Sequence, residues 1–175
     1  MSFLQKLQQF DWQASQRLSI AGQPGPLRRL AILFAHSGDS WLILVVLGLI
    51  WLLGSDYWKT RALVMAVGIV LTAVLVFAIK IVVRRQRPEG DWGGIYRKTD
   101  PHSFPSGHAA RAMMLAVLAI GMGPLWLAIL AAVWAPLVTL ARVAMGVHYL
   151  SDVVAGALLG AAAGVIYLQV FALLT

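Results

Sequence analysis

Long uncharged runs separated by short polar clusters set the pattern of this chain. Ala62–Ile79, Leu125–Ala141 and Val153–Thr175 carry no charged residue over 18, 17 and 23 positions. Each is close to the roughly 20 residues that a helix needs to cross the hydrocarbon core of a bilayer. Trp41–Gly54 is shorter and becomes a span only with its upstream flank, and Ser106–Met122 is interrupted only by His108 and Arg111 near its start. The pattern predicts five spanning helices, at about 38–54, 62–83, 106–122, 125–145 and 151–174. Gly123-Pro124 reads as a tight helix–helix break, because glycine suits a helix end and proline a helix start.

The first 25 residues follow a different rule. Phe3, Leu7, Phe10, Ala14 and Leu18 recur at three- and four-residue spacing, with Gln5, Lys6, Gln8, Gln9, Asp11, Gln13 and Arg17 between them. This is an amphipathic helix, too polar to span. It either lies in the membrane interface or packs on the side of the bundle. It lacks the apolar core of a signal peptide and is expected to be retained. In the last span, Gly156, Gly160 and Gly164 form a small-xxx-small series that lets helix backbones approach closely. Packing inside the monomer is the expected use, ahead of a dimer seam.

Composition agrees with this picture. Of 175 residues 60% are hydrophobic and 12% charged, against a globular norm of roughly 45–50% and 25%. Mean hydropathy is +0.79. So little polar surface excludes a disordered or fibrous chain and argues against a water-soluble globule. The fold class expected is all-α: an integral membrane bundle of about five spans plus the N-terminal helix, forming one domain over 1–175. There is no cysteine, so no disulfide, thiolate metal site or thiol chemistry is available.

Charge placement changes the picture more. Fourteen Lys and Arg against seven Asp and Glu leave +7, a balance suited to anionic lipid, nucleic acid or a phosphorylated substrate. A charge near the bilayer centre costs roughly 2.5–3.5 kcal/mol on insertion scales, so ionisable groups within spans are functional suspects. Tracing the chain up and down puts Lys80, Arg84, Arg85, Arg87, His108, Arg142, His148 and Asp152 at one membrane face, with Asp56, Lys59 and Arg61 at the other.

Three segments carry the chemistry. Helical spacing puts Lys80, Arg84 and Arg87 on one face, with Arg87 at the helix end because Pro88 disfavours helix before it. These cations suit phosphate oxygens, or form a snorkelling basic collar. Pro105-Ser106-Gly107-His108 opens a helix whose free N–H groups make an anion cradle. Gly107 allows close approach, and Ser106 either caps the helix or contacts the anion. His148 and Asp152 are four apart, so one helical turn lets the carboxylate orient the imidazole and leave its other nitrogen as nucleophile or base. Alone, that pair suits a structural contact or a proton relay equally well. His36, Asp39, His102 and Arg111 are given no role. Trp92, Tyr96 and Tyr149 read as headgroup-level anchors, and Arg97 and Lys98 as a solvated loop face.

The three segments resemble the signature of the type 2 phosphatidic acid phosphatase superfamily, which also includes the vanadium haloperoxidases. Its pattern is K-x6-R-P, P-S-G-H and S-R-x5-H-x3-D. Here it reads Lys80…Arg87-Pro88, Pro105–His108 and Ala141-Arg142…His148…Asp152, ten matching positions within a motif-bearing region of about 80–152. Two features depart from the pattern. Ala141 replaces the usual serine, removing one possible phosphate hydrogen bond. The amphipathic N-terminus replaces the first membrane helix of six-span bacterial members.

The resemblance implies dephosphorylation of a membrane lipid phosphate or pyrophosphate through a phosphohistidine. His148 would be the nucleophile, Asp152 its orienting partner and His108 the proton donor and then the base. Lys80, Arg87, Arg142, Ser106 and Gly107 would bind phosphate oxygens. No cofactor or metal is expected, and vanadate, phosphate or tungstate would occupy the same pocket. Phosphatidic acid, phosphatidylglycerophosphate and undecaprenyl pyrophosphate all fit as substrates. Nucleic acid does not, because the cations are interleaved with spans and not spread over a polar face. A transporter or lipid-binding protein would use the basic pocket but needs no His–Asp pair beside a second His. The resemblance also implies a bacterial inner-membrane protein with its site facing outward. Lys6, Arg17, Arg28 and Arg29 oppose that orientation under the positive-inside rule if residues 1–37 do not cross.

Overall fold

The computed structural model describes residues 2–90 and 94–174. The described residues form an all-helical membrane bundle: α1 (Phe3–Leu18), α2 (Pro26–Ser37), α3 (Ser40–Leu53), α4 (Asp56–Val83), α5 (Gly94–Thr99), α6 (Gly107–Met122), α7 (Leu125–Ala144) and α8 (Leu150–Leu174). In α4, α7 and α8 the uncharged runs are long and apolar enough to cross a membrane. Their outward faces, such as Val70 and Val74 on α4 and Ile129 and Val133 on α7, are exposed, as expected where lipid and not water is the neighbour.

The other two expected spans take different forms. α2 and α3 pass the same test only together, as a pair bent by 57°, so the run expected to span 38–54 begins at a bend and has a helical upstream arm. The bend sits at Gly38-Asp39. A side chain on Gly38 would meet Cγ1 of Val138 at 2.7 Å and the His108 ring at 3.3 Å, so only a bare backbone fits there. α2 lies on α7 through Ala31 and Ala35 against Ala141 and Met145, fastened by Trp134 Nε1 donating to Ser37 Oγ at 2.9 Å.

The remaining candidate, α6, has 16 residues and is the centre of the bundle, with Ala109, Ala110, Ala112, Met114, Ala116 and Leu118 all buried. Small residues let its neighbours close in. A Cβ on Gly156 would strike the carbonyl of Ser106, one on Gly160 the backbone of Ala110, and one on Gly164 the Val117 side chain. The glycine series of α8 is thus the seam against α6, within the monomer. At the far end of the bundle, Arg61 Nε donates to the carbonyl of Met122 at 2.5 Å, tying the start of α4 to the end of α6.

α1 docks on the bundle by its polar side. Ser15 is buried, while Phe3, Leu7, Phe10 and Leu18 face outward. The helix thus packs on the side of the bundle through its hydrogen-bonding stripe and leaves its apolar stripe exposed.

Because the α6–α8 seam has no room for a β-carbon, Gly160→Val is expected to lower the thermal midpoint in detergent. The overpacking cost should be about 1–3 kcal/mol or more. Gly48→Val, where nothing lies within 4 Å, should leave the midpoint unchanged.

Candidate active site

α4 ends one turn earlier than the Lys80–Arg84–Arg87 spacing assumed. Its last helical residue is Val83, and Arg84 adopts a left-handed conformation with φ 50°. That residue swings the chain off the helix axis. Arg84 stays exposed and bonds back to the Ile81 carbonyl, so the three cations do not share a helical face. Arg87 reaches the interior from the following segment instead. An antiparallel bridge between Gln86 and His102 and the Ser103 N–H donating to the Arg85 carbonyl at 2.8 Å close the loop that follows. Trp92 lies outside the described residues, as do the side chains of Tyr96 and Arg97.

The three motif segments meet in one cavity of about 300 Å³. Lys80 from the end of α4, Arg87 from the loop, Gly107 and His108 from the start of α6, Arg142 from the end of α7 and His148 from the turn before α8 all line it. Arg142 and His148 are fully buried. Ser106 is not part of the lining. Its Oγ accepts from the Ala109 N–H as the α6 cap, and its own N–H donates to the Asp152 carbonyl at 2.9 Å, so it joins the starts of α6 and α8.

His148 precedes α8, so its link to Asp152 runs from turn to helix and not around a helical turn. Nδ1 stands 3.5 Å from Asp152 Oδ2, longer than a hydrogen bond. The shorter contacts of that carboxylate go to the Tyr149 N–H, at 2.9 Å, and to Arg85, at 2.8 Å. On the other side of the ring, Arg87 Nη1 lies 3.1 Å from Nε2. A guanidinium can only donate, so Nε2 is the acceptor and the ring proton belongs on Nδ1, facing Asp152. A lone pair directed into a cationic cavity is what a nucleophilic imidazole needs.

Residues 61–175 match the PAP2 superfamily. The chain belongs to the PAP2 superfamily. It is a membrane hydrolase of the lipid-phosphatase type. It is 36% identical over 152 residues to a decaprenylphosphoryl-5-phosphoribose phosphatase of Mycobacterium tuberculosis, covering 85% of this chain and 82% of that one. An undecaprenyl-diphosphatase of Sulfolobus acidocaldarius is 36% identical over 107 residues, 58% of this chain and 52% of the relative. In fold it is similar to a transmembrane PAP2 type phosphatidylglycerolphosphate phosphatase from Bacillus subtilis, with TM-score 0.78, 24% identity and coverage of 97% and 88%. Aquifex aeolicus LpxE gives TM-score 0.68 at 27% identity, covering 86% and 90%.

Within this PAP2 site, several residues that the motifs do not specify make short contacts. Asp100 Oδ2 bridges Lys80 Nζ at 2.6 Å and Arg87 Nη2 at 2.9 Å. Asp39, at the α2–α3 bend, places Oδ1 2.7 Å from His108 Nε2 and Oδ2 3.0 Å from His36 Nδ1. Arg111, one turn into α6, is a further cation in the cavity wall. Asp39 and Arg111, left without a role on sequence grounds, thus belong to the site, and His102 holds Lys80 through its carbonyl at 2.7 Å. The only sequence signal for Arg111 and Asp39 was their being ionisable beside apolar runs. Ala141 packs toward α2 and is not part of the cavity lining. Tyr149 lies under the Arg85 guanidinium, 4.0 Å from carbon to ring centre.

Burial, and then the charges of Arg87, Arg142 and Lys80, hold the His148 imidazole well below its usual 6.5. Both causes disfavour the imidazolium, so the ring is neutral at pH 6.5 and protonates only on further acidification. In nitrogen-labelled protein, the His148 signals are expected to keep the neutral pattern from pH 8 down through about 6.5.

Proposed function

We propose that this enzyme removes a terminal phosphate from a polyprenyl-linked phosphate or diphosphate through a phosphohistidine. The observation that carries the reading is the common cavity: two imidazoles and the cations Lys80, Arg87 and Arg142 face one space of about 300 Å³. The wall of that space continues along α4 through Ala73, Val76, Phe77 and Ile81, of which Phe77 and Ile81 are exposed toward lipid. A headgroup phosphate among the cations thus leaves its hydrocarbon chain against α4 and the bilayer. Polyprenyl substrates are favoured over phosphatidic acid or phosphatidylglycerophosphate because the mycobacterial and archaeal relatives are named for polyprenyl compounds.

In the first step His148 Nε2 attacks phosphorus, forming the P–N bond as the P–O bond to the lipid breaks. His108, oriented by Asp39, gives its proton to the departing oxygen. The imidazolium that forms is stabilised by Asp152 beside Nδ1. In the second step His108, now neutral, takes a proton from water, whose oxygen attacks phosphorus and breaks the P–N bond. Lys80, Arg87, Arg142 and the first N–H groups of α6 at Gly107 and His108 hold the equatorial oxygens. Such preorganised charge usually lowers the barrier more than any other effect, and loss of one donor costs roughly 2.7–4 kcal/mol. Vanadate, phosphate and tungstate would occupy the cavity as competitive anions. We also assign the site end of the bundle to the outer face of a bacterial inner membrane, on family likeness, with residues 1–175 acting as one catalytic domain.

The test is phosphate release from purified polyprenyl and glycerolipid phosphates in detergent, with and without chelator. Wild-type activity is expected to survive chelation and to be highest on polyprenyl substrates. His148→Ala should lose about three orders of magnitude or more, as loss of a nucleophile does. His108→Ala should accumulate acid-labile phosphate on His148. Release by His148→Ala at the wild-type rate would exclude the mechanism and leave a binding or transport role. Orientation is checked separately. The chain has no cysteine, so Lys98→Cys, on an exposed residue of α5, reports its side of the membrane. Labelling of intact spheroplasts by an impermeant maleimide is expected.

A further inference from the structure

We infer that Asp11, on the interfacial helix α1, is a positioning residue that acts through Arg85 on Asp152. The inference rests on the proposed role of Asp152 behind His148. Asp11 lies outside residues 61–175, the stretch that matches the family, and no catalytic motif includes it. Its carboxylate makes three contacts, two to Ser151 at the start of α8 and one to Arg85 just after α4. Oδ1 accepts from the Ser151 N–H at 2.9 Å, and Oδ2 accepts from Ser151 Oγ at 2.5 Å and from Arg85 Nη2 at 2.6 Å. The same guanidinium uses Nη1 to reach Asp152 Oδ1 at 2.8 Å and Ser151 Oγ at 2.7 Å. One turn further along α1, Ser15 Oγ accepts from the Leu150 N–H at 2.8 Å.

Two physical effects converge here. The first N–H groups of a helix have no partner inside it. In α8 those of Leu150 and Ser151 are satisfied by side chains of α1, and that of Tyr149 by Asp152 itself. The rotation of the α8 terminus, and with it the aim of Asp152, is therefore fixed partly from outside the catalytic region. The second effect is charge. Asp11 and Asp152 share one guanidinium, with side chains 13% and 0% exposed. While Asp11 holds one edge of Arg85, the cation presents only its other edge to Asp152 Oδ1, and Oδ2 keeps the Tyr149 N–H at 2.9 Å with His148 Nδ1 at 3.5 Å. With Asp11 neutral, the whole charge of Arg85 falls on Asp152. That draws the carboxylate from the ring and weakens its support of the imidazolium. Turnover is thereby coupled to the docking of a helix whose other side, Phe3, Leu7 and Phe10, faces the membrane.

The experiment compares Asp11→Asn, Asp11→Glu, Ser15→Ala and Arg85→Gln as full-length protein, measuring kcat and KM on one lipid phosphate. Asparagine keeps an oxygen for the Ser151 N–H and loses the charge together with the acceptor that holds Arg85. Asp11→Asn is expected to lower kcat about tenfold to a hundredfold, the scale of a 1 Å misplacement, with KM within about threefold. Asp11→Glu should recover most of the loss, and Ser15→Ala, which removes one bond to α8 but leaves the Asp11–Arg85 pair in place, should cost clearly less kcat than Asp11→Asn. Arg85→Gln leaves the bonds from α1 to Leu150 and Ser151 in place and should match Asp11→Asn. Adding Asp11→Asn to Arg85→Gln should then cost less than a further twofold, since partners in one network are not additive. Wild-type kcat in Asp11→Asn or in Arg85→Gln overturns the inference. So do equal losses in Asp11→Asn and Ser15→Ala without rescue by glutamate, or independent effects in the double variant. An inactive His148→Ala beside an unchanged Asp11→Asn sinks this inference alone; an active His148→Ala sinks the mechanism instead.

Discussion

Mutual repulsion among buried cations is the constraint around which the rest of the structure is arranged. Lys80, Arg87, Arg111 and Arg142 share one small cavity at the end of a lipid-embedded bundle, where removal from water makes each charge costly and their proximity makes it worse. The molecule answers with carboxylates drawn from distant parts of the chain. Asp100 holds Lys80 and Arg87, and Asp39 stands against His108. These positions lie in the loop before α6 and at the bend between α2 and α3. Neither segment is a regular span, and both owe their shape to the contacts they deliver. An anionic substrate enters a space already prepared for negative charge.

How much of the fold was legible follows from what each helix touches. α4, α7 and α8 present long apolar faces to lipid, and a lipid-facing helix must be long and uncharged, so their runs stood out. α6 touches protein on nearly every side, so alanine and glycine serve it better than leucine, and its length is set by its neighbours. The bend at Gly38-Asp39 was hidden because its cause lies elsewhere in the chain, in Val138 and His108. The glycines of α8 were readable as a close seam, and their partner, α6, required coordinates.

The site divided in a similar way. Lys80, Arg87, His108, Arg142 and His148 occur at spacings that chemistry constrains, and all five line the cavity. What spacing did not carry was the partners of those groups. Arg85 looked like one more member of a basic run, yet it bridges α1 and α8. Asp11 looked like the polar face of an amphipathic helix, and Asp100 drew no reading at all. Each contact spans many residues of sequence, and a carboxylate 140 positions from its partner leaves no local trace. Helical spacing also misled in two places: the left-handed Arg84 ended α4 before Arg87 could share its face, and His148 lies in the turn before the helix that carries Asp152.

The shortness of α6 has a geometric consequence. At 1.5 Å per residue, 16 residues make a rod of about 24 Å, while the hydrocarbon layer measures about 30 Å. A helix sheathed by others along most of its length need not match the full thickness of that layer. Its amino end, with Gly107 and His108, lines the cavity, so the span of this one short rod sets where along the bundle that cavity lies.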